Sequence, residues 1–142
     1  MADTPIERDS LRDLDGVRVV VEVSGARLDK DQLQKSVESK LRAAGIKVLN
    51  AGDFPVGDPY LRVRVSTAAE SGGVAGYNVE VEFAQIVFLR RNPAQTFNSA
   101  QTWKAKGQMG LVPAGQVAAK VQQEIAAQVD QFVAAYKTVN PK

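Results

Sequence analysis

Two alternating stretches constrain this chain more than anything else in it. Residues 60–66 read YLRVRVS and residues 77–90 read YNVEVEFAQIVFLR. In the first, Leu61, Val63 and Val65 oppose Arg62 and Arg64. In the second, Val79, Val81 and Phe83 oppose Glu80 and Glu82. A period of two is the pattern of a strand with one buried face. Pairing residues whose numbers sum to 144 sets Arg62 against Glu82 and Arg64 against Glu80. The same register sets Leu61 against Phe83 and Val63 against Val81. Each such cross-strand pair contributes roughly 0.2–1 kcal/mol, and a slip of one residue would invert both faces. An antiparallel hairpin in this register is the anchor for the remaining elements.

A second hairpin follows. Its turn is expected at Asn92-Pro93-Ala94, with the next strand over 96–106. A sum of 186 sets Phe97 opposite Leu89, Trp103 opposite Phe83, Lys104 opposite Glu82 and Lys106 opposite Glu80. The lone tryptophan then lies on the core face. Gly107 and Gly110 mark the end of the last strand before Pro113.

Upstream, VRVVVEV at 17–23 reads as a strand whose other face carries Arg18, Val20 and Glu22. Leu33, Val37 and Leu41 then recur at helical spacing. Asp29 suits the N-cap, with Gln32 three residues on, and Gly45 suits the left-handed position after the helix. IKVLN at 46–50 is expected as a short strand closing a strand–helix–strand unit. Near the C-terminus, Val117, Val121, Ile125, Val129, Phe132, Val133 and Tyr136 form one stripe of a long helix that stops before Pro141. The expected fold is α/β of the α+β kind, a two-layer sandwich in the order β-α-β-β-β-β-α. Its mixed sheet carries two helices on one face. Residues 1–10 are expected as a flexible N-terminal arm, and 11–142 as a single domain.

The 142 residues include no cysteine and no histidine. Thiolate nucleophiles, Cys/His zinc sites and histidine bases are therefore excluded. No stretch approaches the roughly 18 apolar residues of a membrane span. The net charge of +2 is too small to point to nucleic acid. It is unevenly spread: residues 1–16 hold five acids and two arginines, −3, which leaves +5 for the rest.

Two sets of residues are candidates for function. Ala84 to Leu89 is apolar on both faces, so Ile86 and Phe88, with Val20, form a candidate partner surface for another protein or a second copy. Asp53 and Asp58 in the 51–59 loop, with Tyr60 and with Glu70 in the 68–76 loop, form a candidate ligand loop for a small molecule or anion. Acids beside Gly and Pro are also ordinary turn formers. The glycine-rich ESGGVAG joins two antiparallel strands and lacks any phosphate-loop signature. No cofactor motif and no catalytic motif is present.

LRDLDGVRVVVE at 11–22, LRAAGIKVL at 41–49, PYLRVRV at 59–65, TWKAKGQMG at 102–110 and VDQFVAAYKTVNPK at the C-terminus together resemble a group of uncharacterised bacterial proteins, mostly exported. Its marks are a T-W-x-x-x-G-x-x-G segment and a final helix ending in N-P-K. The element order is also similar to the amino-terminal domain of TolB and to the lipoprotein activators of peptidoglycan synthases. The resemblance implies a non-catalytic interaction or scaffold domain of the bacterial envelope, periplasmic or exported, although residues 1–10 lack the apolar centre of a signal peptide. Composition alone is equally compatible with the cytosol.

Overall fold

The computed structural model describes residues 2–25, 28–53, 55–69 and 72–141. Its sheet holds β1 (Arg18–Ser24), β2 (Tyr60–Ala69), β3 (Val74–Leu89), β4 (Asn92–Lys104) and β5 (Gln108–Pro113). The order is β1-β2-β3-β4, and β5 also pairs with β3. β1 and β2 are parallel, and the remaining pairs are antiparallel. β3 is therefore the spine. One of its edges meets β2. The other meets β5 along Val74–Val79 and β4 from Glu82 onward.

The β2–β3 register is the expected one from Tyr60↔Ala84 to Ala69↔Ala75. β4 follows the expected register only at its root, through Glu82↔Lys104 and Phe83↔Trp103. Three irregularities then put extra residues on β4, and the first two already set Phe97 against Val87 rather than Leu89. The turn lies at Arg90 and Arg91, and Asn92-Pro93-Ala94 already belongs to the strand. Pro93 is tolerated there because β4 is an edge strand.

Lys106 does not reach Glu80, because the chain leaves the ladder at 105–107. Gly107 and Gly110 do not end the sheet either. Residues 108–113 return to it as β5. Gly110 lies opposite Tyr77, and a Cβ there would meet the tyrosine Oη at 3.0 Å. The glycine makes room for a core ring.

The break between β4 and β5 strands two polar groups of β3, and an amide from the long helix satisfies both. Gln128 is buried; its Oε1 accepts from Val81 N (3.0 Å) and its Nε2 donates to Val79 O (2.9 Å). One turn on, Gln131 makes the same two-way contact with Lys106 N and O. Side-chain amides thus stand in for the missing ladder.

Two helices cover one face. α2 (Lys30–Ala43) starts at Asp29, whose side chain accepts from Gln32 N at 3.1 Å. It ends with Gly45 at φ +83°, Gly45 N bonded to Arg42 O and Ile46 N to Leu41 O. That is the Schellman arrangement expected for a C-terminal glycine. α3 (Val117–Val139) follows a single 3-10 turn at Ala114–Gln116. Its Phe132 stacks on Phe83 (5.8 Å between centroids) and meets Trp103 edge-on (5.4 Å). Trp103 and Phe83 are fully buried.

The expected strand at 46–50 is reduced to one parallel bridge, Val17 with Val48, held by Val17 N→Lys47 O and Leu49 N→Val17 O. Ile46 and Leu49 both turn into the core, three residues apart, which is not a strand period. At the N-terminus, α1 (Pro5–Asp9) occupies part of the expected flexible arm. It is closed by a Thr4–Glu7 capping box. Among the described residues, no helix is long and apolar enough to cross a membrane.

Candidate interaction surface

The uncovered face of the sheet has three parts. Its centre is an ion-pair lattice in which β1, β2, β3 and β4 each supply a row position. Arg62 Nε donates to Glu82 Oε1 at 2.6 Å, and Arg64 reaches Glu82 (3.2 Å), Glu22 (3.3 Å) and Glu80 (3.8 Å). Lys104 Nζ reaches Glu80 at 3.4 Å. Three cations meet three carboxylates here, so the lattice is neutral. Glu82 is only 3% exposed although no helix covers it, because the two arginines fold over it.

The second part is a projecting ribbon. β2 begins at Tyr60, opposite Ala84. Beyond that point β4 is the only strand partner of β3 among the described residues, apart from one bond from Ile86 N to Gly57 O (2.7 Å). Residues 85–101 therefore form a two-stranded extension. Ile86 is 40% exposed, Phe88 63% and Phe97 44%. The extra residues lie on β4, so β3 keeps its alternation. Ile86 and Phe88 stay on the open face, while Val87 and its partner Phe97 point to the helix side. The only charges between Phe83 and Trp103 are Arg90 and Arg91 at the tip, and neither has a carboxylate partner among the described residues.

The ribbon is rooted firmly. Gln85 Nε2 donates to Thr102 Oγ1 (3.0 Å) and to Ser10 O (3.2 Å). The Trp103 indole N–H donates to Asp3 Oδ1 at 2.9 Å, and Arg8 grips both Asp3 oxygens at 2.9 Å. The Arg8 hydrogen bond, and after it the Trp103 N–H, hold the Asp3 carboxyl below its ordinary pKa, against the opposing effect of burial.

The third part lies at the other end of the same face. Met109 (74% exposed) and Leu111 (60%) of β5 flank Gly76 and Ala68 over an apolar hollow of about 370 Å³. Gly107 and Gly110 make this segment look like a strand end in sequence, although it pairs with β3 as β5. The alternation of Met109 and Leu111 around Gly110 was the available signal.

The sequence-selected residues separate. Ile86 and Phe88 lie together on the ribbon. Val20 does not join them: it is half-buried in β1, in the row of Arg62 and Glu82. In the candidate ligand loop, Asp53 Oδ2 accepts from Asn50 N at 2.8 Å within its own turn. Asp58 pairs with Arg18 at 3.2 Å, and that guanidinium lies 5.5 Å from the centre of the Tyr60 ring. Asp53 and Asp58 thus serve separate local contacts. Glu70 lies outside the described residues.

Fold and surface define a class: a two-layer α+β domain with one sheet face under helices, the other open, and a ribbon extending past the sheet. No family model and no curated protein matches the chain. Among solved structures, a minor lipoprotein from Acinetobacter baumannii is similar, with a TM-score of 0.38 and 14% identity over 88% of this chain and 95% of that one.

Proposed function

We propose that this chain is a non-catalytic interaction or scaffold domain of the bacterial envelope, and that the ribbon is its contact surface. The observation that carries this reading is the exposure of the Phe88 and Ile86 side chains on a two-stranded segment that extends past the start of β2. Ordering large apolar side chains in water has no benefit to the monomer, whereas burial against a partner gains roughly 25 cal/mol per Å². An isolated two-stranded ribbon is also marginal in water, so a partner would complete it.

A photo-crosslinking amino acid placed at Phe88, with a control at exposed Gln123 on α3, tests the reading in intact cells. Discrete adducts at position 88 and none at 123 are expected. Absence of any adduct at 88 would remove the basis for it.

A further inference from the structure

The ribbon differs from the rest of the open face in its charge. In the central lattice each cation meets a carboxylate. Between Phe83 and Trp103 the only charged residues are Arg90 and Arg91, both exposed at the tip, and among the described residues neither is paired with an acid. Acids at the root are already engaged: Asp3 with Arg8, Asp58 with Arg18, and Glu7 in its capping box. The tip lies about 17 Å beyond Gln85 at roughly 3.4 Å per residue, about twice the screening length at physiological salt. The acidic lead-in therefore does not cancel it.

Apolar side chains stand beside this charge. Phe88 and Ile86 are 63% and 40% exposed on one face of the ribbon, and Val56 is fully exposed on the turn that Gly57 joins to Ile86. Together they offer on the order of 300–400 Å² of apolar surface, about half of the roughly 800 Å² that each partner buries in a stable protein interface. A lipid surface needs less, because a small apolar anchor and a cationic patch act as two additive signals. Its headgroups supply phosphates, which guanidinium groups bind through a bidentate fork. Arginine can hold its head at that level while its stem lies along apolar surface. We propose that the ribbon docks on a bilayer rich in anionic phospholipid, with Ile86 and Phe88 turned toward the acyl boundary and Arg90 and Arg91 on the phosphates. The inference rests on the interaction reading above and names its partner. The neighbouring lattice is neutral, so it neither opposes nor supplies the attraction.

Co-sedimentation tests this with two kinds of vesicle, one of phosphatidylcholine alone and one with about a quarter phosphatidylglycerol to give an anionic surface. The chain is expected to sediment with the anionic vesicles only, and to be released as salt rises. The Arg90→Gln/Arg91→Gln variant should bind about 25-fold more weakly, at about fivefold per charge. Phe88→Ser should weaken binding by about tenfold or more with unchanged melting. The chain has no cysteine, so Phe88→Cys can carry an environment-sensitive fluorophore, with Gln123→Cys on α3 as control. A blue shift on anionic vesicles is expected at 88 and none at 123.

No sedimentation with anionic vesicles at low salt would overturn the proposal. So would equal binding to both vesicles, or full binding by the arginine variant. A protein-sized adduct at position 88 in cells, from a chain that ignores vesicles, would overturn lipid docking and leave the interaction reading in place. Absence of both vesicle binding and any adduct at 88 would remove both.

Discussion

The two halves of β3 obey opposite rules. From Val74 to Phe83 the strand is paired on both edges, with Gln128 filling the gap between β5 and β4, and has α3 on one face and the ion-pair lattice on the other. From Gln85 to Leu89 it has one strand neighbour among the described residues and no charge of its own. The first half places apolar residues where they are buried and charges where they are paired. The second places Ile86 and Phe88 where the monomer leaves them in water. One strand thus separates what the fold requires from what it merely carries, and substitutions on either side of Ala84 should behave accordingly.

The largest loss is expected in the covered half. Trp103→Ala removes the ring packed edge-on against Phe132 and should cost about 3–5 kcal/mol in denaturant unfolding. Next comes Gln128→Leu, of similar volume. It leaves Val81 N and Val79 O unpaired beneath α3, and should cost about 2–4 kcal/mol, since each stranded buried group costs roughly 1–3. Glu82→Ala should cost about 1–3 kcal/mol, because Arg62 loses its main partner while part of its guanidinium still meets water.

A smaller effect is expected at the root of the ribbon, and it should depend on pH. The Asp3 carboxyl is held below its ordinary pKa. Its contribution is therefore complete above the ordinary carboxylate range and lost as pH falls through the depressed value. Asp3→Asn should melt below the parent protein at neutral pH, and the gap should close on acidification. A gap that widens in acid would show that Asp3 does not hold the lead-in through its charge. On the ribbon itself, Ile86→Lys should shift stability by no more than about 0.5 kcal/mol, as for other exposed positions.

This division also explains what the sequence made legible. Charge and apolar alternation both specified β2–β3, and two independent constraints gave every pair correctly. Trp103 opposite Phe83 followed from the same logic. The logic failed beyond Ala84, where the extra residues of β4, with Ser99 at φ +57°, carry no charge pattern to reveal them. It failed at β5 because Gly110 makes room for Tyr77, and a glycine spaced for packing looks like a glycine placed for a turn. Gln128 was hidden for a related reason. A glutamine on an otherwise apolar helix stripe has no local signature, and its role exists only because β4 and β5 part and leave Val81, 47 residues away, without a ladder partner for its N–H. On the candidate surface, Ile86 and Phe88 were visible as a breach of alternation. The hollow over Gly76 was not, since it is made by missing side chains on neighbouring strands.

The most direct measurement combines both halves of the contrast in one protein. The crosslinking residue at position 88 is introduced into the Ile86→Lys background, and unfolding and adduct yield are followed together. Unchanged unfolding with loss of the adduct is the expected result. Retention of the full adduct, or a loss of stability comparable to that of Trp103→Ala, would contradict the claim that the ribbon serves contact rather than fold.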